Sequence, residues 1–288
     1  MRKVLPLVLI FSVQAVFFPG RIPGHNAREV KNLIKQVDHI LLAPDDPKAL
    51  FIFLTKELNL PVAWPYRDYG GFASGGVSVG DVNLETLMFE GTMADTPSKI
   101  IGIAFEPDGT TAEIVRLLDR RGIMHLAPET SAFGPEGKRT PMWTTTLLKN
   151  MLPGSLIFFC EYHFIQSSVR RKFLKKSLKK IQGGPMRIKR LSEIAIKINK
   201  KEAVLPDWDN LLVPHHNHSH NFFLLNEGPS IRFLEGKKDQ ISSLKFKVES
   251  LRNARDFLSE KGLLGIPDKK TARTDPEKFW GIVFEFSE

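Results

Sequence analysis

A single cysteine, Cys160, stands in the 288 residues, so no disulfide closes within the chain and redox chemistry neither requires nor forbids export. Acids are nearly missing from one stretch. Between Gln166 and Lys201 thirteen Lys and Arg meet one acid, Glu193, so roughly +12 of charge lies there while the whole chain carries +9. Aromatic residues are sparse among those charges and no groove-reading motif is present, which argues against a nucleic-acid partner. What remains is a helical pattern. Val169, Phe173, Leu174, Leu178 and Ile181 recur at helical spacing, basic residues from Arg170 to Lys180 fill the other face, and Gly183-Gly184-Pro185 ends the run. This predicts a basic amphipathic linker helix within 166–186. Either it docks by its apolar stripe, or residues 169–181 lie on an anionic membrane surface.

Charge is also missing from Val4 to Phe18, fifteen residues that follow Arg2 and Lys3 and stop at Pro19-Gly20. The run is short for a membrane span. It reads as a signal peptide or an uncleaved N-terminal anchor within residues 1–24, and so predicts an exported protein, periplasmic or extracellular. The one small-residue pattern, Val13-Gln14-Ala15, falls inside the apolar run, which leaves both readings open.

The rest of the chain, in a sequence 42% apolar, can build two cores. Val37 to Leu42 reads as a strand, Lys48 to Leu58 as a helix, and Pro61 to Arg67, Phe72 to Val79 and Val82 to Phe89 as further strands. The same order recurs as strand Lys99 to Phe105, helix Thr110 to Arg121, and strands near Ile123 to Ala127, Trp143 to Leu148 and Ser155 to Tyr162. After the linker it returns in worn form. Strands are expected at Leu191 to Ile198, Asn221 to Leu225, Ser230 to Glu235, Ile241 to Val248 and Trp280 to Phe286, with a short helix broken by Pro206 and another from Leu251 to Lys261. The expected fold class is α+β: tandem βαβββ units, two per half, paired into curled half-barrel sheets with helices outside. The halves are 33–165 and 187–288.

Two polar side chains interrupt strands that otherwise look like core. His39 lies in the first and Glu85 in the last strand of unit one, and an ionised carboxylate in a sheet needs a partner or a metal. Glu161 likewise shares strand parity with Ile157 and Phe159.

The βαβββ order, the opening VDHILL from Val37 and PVAWPYRDYGGFASGGVSVGDVNLETL from Pro61 to Leu87 resemble the glyoxalase-like branch of the vicinal oxygen chelate superfamily. That group includes glyoxalases, extradiol dioxygenases, epimerases and antibiotic-resistance proteins. The resemblance implies a divalent metal (Fe, Mn, Ni, Zn or Mg) held by His39, Glu85 and Glu161, with Gly102 at the place of an absent fourth ligand. It implies a lyase, isomerase or dioxygenase acting on a small substrate with vicinal oxygens, Glu161 or Glu85 moving the proton. The alternative is a non-catalytic module of the same fold that binds or sequesters a small molecule. Trp64, Tyr66, Arg67, Tyr69 and Phe72 would line the substrate. In the second half the matching places are Glu193 for His39, Ser230 near Glu85, Ser243 near Gly102 and Glu285 in the last strand, which suits a structural partner. His215, His216, His218 and His220 form a separate imidazole-rich loop, expected to bind metal adventitiously.

Overall fold

The computed structural model describes residues 32–89, 98–134, 138–213, 217–219, 221–266 and 268–288. The N-terminal apolar run and His215, His216 and His220 lie outside them, and among the described residues no helix is long and apolar enough to cross a membrane.

The first half forms an eight-stranded sheet. Strands β1 (Ile34–Leu42), β2 (Val62–Asp68), β3 (Phe72–Ser78) and β4 (Asn83–Phe89) make unit one, and β5 (Ile100–Pro107), β6 (Glu129–Phe133), β7 (Thr140–Leu148) and β8 (Leu156–Tyr162) make unit two. Their spatial order is β2-β3-β4-β1-β5-β8-β7-β6, so the two opening strands, β1 and β5, meet antiparallel at the centre. Helix α1 (Pro47–Ile52) starts where Asp46 accepts the amide of Ala49 at 2.8 Å and Pro47 opens the first turn, then runs on into a π-helical turn (Phe53–Glu57). Helix α2 (Thr111–Arg120) begins in a reciprocal capping box between Thr110 and Glu113 and buries Ile114, Leu117 and Leu118.

Helix α3 (Ser167–Lys180) leads to the second sheet, built from β9 (Ile188–Ile198), β10 (Asn217–Ser219), β11 (Phe222–Phe223), β12 (Ser230–Glu235), β13 (Gln240–Val248), β14 (Ala272–Arg273) and β15 (Phe284–Ser287). Its order, β10-β11-β12-β9-β13-β15-β14, repeats the first sheet with one edge strand fewer. Helix α4 (Lys201–Leu212) is continuous rather than broken: Pro206 stands mid-helix at the loss of one amide bond, while Val204, Trp208, Leu211 and Leu212 bury one face. Helix α5 (Leu251–Glu260) matches α2. Two strand expectations shift. The edge strand of unit two is Glu129–Phe133, with only His125 bridged before it, and Trp280 sits in a left-handed turn ahead of β15.

The helix-facing sides of both sheets share one core. Trp208 is fully buried, packs against Phe105 of the first sheet and Phe233 of the second, and donates its Nε1–H to the Met151 carbonyl at 2.7 Å. Phe53 touches Phe279 and Trp280 across the same divide. On the concave side of the first sheet lies a smaller apolar cluster, Leu41, Leu87 and Ile101, joined by Phe72, Phe89, Leu156 and Phe158.

Candidate functional site in the first half-barrel

The concave face carries a buried polar chain. Along β5, Phe105 pairs with Val37 and Ala104 with His39, so Asp38 is the extra residue of a β-bulge. A bulge lets two consecutive side chains work on one cluster, and the Asp38 carboxylate accepts from His39 Nδ1 at 2.7 Å. On the other side of the ring, His39 Nε2 is 3.3 Å from Glu85 Oε2, brought there by the parallel pairing of β1 with β4. The second Glu85 oxygen takes the hydroxyl of Ser74, and Ser74 in turn accepts the Trp64 Nε1–H at 3.1 Å. The Trp64 ring lies over Gly76, where any Cβ would fall 2.5 Å from ring carbons. Trp64 and Phe158 present ring edges to His39 at 6.2 and 5.6 Å.

Asp38 is held by more than histidine. Tyr162 donates its hydroxyl at 3.0 Å and Arg170, from α3, forms an ion pair while its guanidinium stacks 4.1 Å over the Tyr162 ring. Burial pushes the Asp38 carboxyl up, but Arg170, His39 and Tyr162 together outweigh it and hold the group below its usual range. Glu85 goes the other way: burial raises it, and His39 and Ser74 offset that only in part. Burial and the nearby Asp38 charge also push the Cys160 thiol and the Tyr162 phenol up, so both stay protonated. The ionised Asp38 carboxylate accepts the Nδ1 hydrogen of His39 and so turns Nε2 towards Glu85. Asn83, the register partner of His39, is buried with its Oδ1 unpartnered, an open acceptor beside this pair.

The expected metal set does not assemble. His39 and Glu85 converge, but Glu161 points to the helix side, where it accepts the Thr111 amide at 2.8 Å and the Thr111 hydroxyl at the first turn of α2. The second half repeats this contact: Glu288 accepts the amide of Leu251, first residue of α5, at 2.6 Å. A carboxylate at the end of the last strand thus serves the positive end of the crossover helix in both halves. Glu161 does share the face of Ile157 and Phe159, and that face is the helix-facing core. Gly102 cannot supply the fourth ligand because a Cβ there would lie 2.4 Å from the Leu156 carbonyl. Among the described residues no three His, Cys, Asp or Glu form a metal-holding group, and two converging donors fall short of the three protein ligands of an open catalytic site. Both Asp38 oxygens are already engaged. The residues present therefore do not fit the divalent metal that the resemblance implied.

Of the expected substrate residues, Trp64 is in the site. Tyr69 stacks on Phe72 at 5.1 Å and meets Phe133 at 6.0 Å, and Phe133 meets Trp143 at 5.3 Å, so aromatic rings from opposite edges of the curled sheet touch over the cup. Tyr66 instead packs on Phe51 of α1, and Arg67 is exposed at the strand edge. Asp38, Ser74, Tyr162 and Arg170 were missed. Asp38 carried a readable signal, a second polar residue in VDHILL. Arg170 did not, since it meets Asp38 across 132 positions.

The linker helix forms where expected but turns its stripe. Leu174 and Leu178 are buried and Arg171 pairs with the buried Glu106, whereas Val169 and Phe173 face solvent. In the second half, Glu193 pairs in register with Ser230, and Arg232, two residues on, takes the position of Glu85. Arg232 binds Glu193 at 2.9 Å, which excludes a copy of the first site.

No family model matches the chain, and no curated protein sequence matches it. Solved structures do. A hypothetical protein from Staphylococcus aureus is similar with TM-score 0.59 and 14% identity, over 88% of this chain and 98% of that one. The 2,3-dioxygenase LapB from Pseudomonas sp. KL28 is similar with TM-score 0.55 and 16% identity, over 89% and 93%. Homoprotocatechuate 2,3-dioxygenase from Brevibacterium fuscum, complexed with 3,4-dihydroxyphenylacetate, is similar with TM-score 0.54 and 12% identity, over 93% and 84%. At these identities the likeness is one of fold: the chain has the paired βαβββ half-barrel architecture of these dioxygenases.

Proposed function

We propose that the first half-barrel is a small-molecule enzyme site that works by proton transfer through His39 and Glu85, on an apolar or aromatic ligand bearing hydroxyl groups. One observation carries the reading: Nε2 of His39 lies 3.3 Å from Glu85 while Asp38 fixes the other ring nitrogen. Asp38 stays charged and fixes Nδ1, so the Nε2 edge is the one presented to Glu85 and to a ligand hydroxyl. Raised Glu85 is the second proton carrier. Trp64, Phe158 and the Leu41, Leu87, Ile101 cluster supply apolar walls, and the Asn83 carbonyl oxygen can accept from a ligand hydroxyl.

Calorimetric titration of the full chain with 1,2-dihydroxybenzene, an uncharged aromatic diol, in excess chelator, tests this. Binding should persist with chelator and weaken by about tenfold or more in His39→Ala, the loss of one charge-assisted hydrogen bond. Binding that needs added divalent metal, or that ignores His39→Ala, contradicts the proposal.

The outer face of α3 supports a second contact, with an anionic membrane surface. Val169 and Phe173 are 55% and 66% exposed among Lys172, Lys176 and Lys180, an apolar and basic face left open after docking. Vesicles containing phosphatidylserine should retain the chain at low salt and release it at high salt, and the Phe173→Ser, Lys176→Glu variant should not bind. Equal binding to neutral vesicles counts against this contact.

A further inference from the structure

The second half-barrel has its own cup, and strand register lets it be compared with the first position by position. With Glu193 at the place of His39, Ser192 is the bulged residue standing for Asp38, Arg232 stands for Glu85, Lys245 for Ala104, Lys247 for Glu106 and Ser287 for Cys160. Three acids of the first cup, Asp38, Glu85 and Glu106, are thus replaced by a serine, an arginine and a lysine. Two acids enter in turn, Glu193 for His39 and Glu285, the register partner of Lys245, for Phe158, so the second lining gains cations without losing every carboxylate.

A cavity of about 370 Å³ opens on this face, lined by Ser192, Glu193, Lys245, Lys247, Lys270 and Ser287, with Thr271 and Glu288 at its side. Both acids are engaged: Glu193 by Arg232 at 2.9 Å, and the Glu288 carboxylate by the Leu251 amide at 2.6 Å. Lys247 donates to the main-chain oxygen of Glu288. Lys245 and Lys270 enter no ion pair with any described residue, although Lys245 is partly buried. Ser287 is 8% exposed and its Oγ has no hydrogen-bond partner. A buried, unpartnered hydroxyl is costly, and a partly buried ammonium that forms no ion pair adds to that cost, unless a ligand completes both.

We propose that this cup binds a small organic oxyanion, a carboxylate or phosphate ester, between Lys245 and Lys270, with the Ser287 hydroxyl donating to one of its oxygens. The volume exceeds that of a bare inorganic anion and falls in the range of small-ligand sites. Lys245 and Lys270 supply charge and Ser287 a hydrogen bond, while the Ser192 hydroxyl is committed to the Lys245 carbonyl at 2.9 Å and Arg232 neutralises the Glu193 carboxylate.

The test titrates the full chain with inorganic phosphate and, separately, with acetate, following binding by calorimetry at low ionic strength. Saturable binding of at least one probe is expected, weakened by about tenfold or more in Lys245→Met. Which probe binds tighter assigns the ligand's acid group. Ser287→Ala separates binding from structure: it removes an unsatisfied hydroxyl, so thermal stability should hold or rise while anion affinity falls. His39→Ala should leave anion binding unchanged, so failure here and failure of the first-cup reading are told apart. Absence of binding by either probe, or binding that Lys245→Met and Ser287→Ala both leave intact, overturns the proposal.

Discussion

Asp38 and Glu85 flank one imidazole and are driven in opposite directions, and that opposition makes pH a probe of the site. Asp38 is held low by Arg170, His39 and Tyr162 against the effect of burial, so the stability it contributes is present above the unfolded value, about 3.9, and is lost as pH falls through its folded value. Asp38→Asn leaves Arg170 and His39 without their counter-charge and should lower unfolding free energy by about 3 kcal/mol or more at neutral pH. Chemical denaturation should show the deficit shrinking under strongly acidic conditions. Glu85 is raised by burial, so its folded form is favoured below the unfolded value, about 4.3, and loses that advantage as pH rises through the folded value. Glu85→Gln should therefore gain stability relative to the native chain as pH is raised, which a series of thermal melts reads directly. Of these residues only His39 and Glu85 stood out in the sequence, as polar groups in apolar strands. Asp38 was legible as a second polar residue in the strand of His39 but its face was not, because alternation places neighbours on opposite faces and the bulge that defeats alternation is a feature of the pairing with β5.

At the scale of elements, the ends of β8 and α2 explain why Glu161 was misplaced. Strand parity identified the face it occupies but could not say which face is concave. The answer lies in helix geometry: Glu161 meets the amide of Thr111 as Glu288 meets that of Leu251. Glu161→Gln should cost about 1 kcal/mol through the weakened contact with the helix N-terminus and leave ligand affinity of the first cup unchanged. Equal loss of affinity would place Glu161 in the site after all. The seating of β5 between β1 and β8 is tight enough to be tested too. Gly102→Val drives a side chain into the Leu156 carbonyl and Leu41, and should destabilise by about 1 to 3 kcal/mol or more. Helix α3 was legible as a basic amphipath, but its docking relies on Arg170 and Arg171 reaching buried acids, a pairing that periodicity cannot show.

For the whole molecule, the repeated βαβββ order was legible because each unit carries its own apolar strands and capped helix, and the two sheets follow it. What binds the halves was not legible. Trp208 joins Phe105 to Phe233 and hydrogen-bonds Met151, contacts that span both sheets. Trp208→Ala should remove about 3 to 5 kcal/mol, and calorimetry should show one shared transition moving for both halves rather than one half melting alone. The two cups face away from this core, which lets their linings diverge in charge without disturbing it. The central claim is that the first cup offers a proton-sharing pair where three metal donors were expected. Its most direct test is equilibrium dialysis of the chain against zinc and manganese, with His215, His216, His218 and His220 replaced by serine, followed by elemental analysis. The account predicts no bound metal that depends on His39. One equivalent bound by the parent and lost in His39→Ala would contradict it.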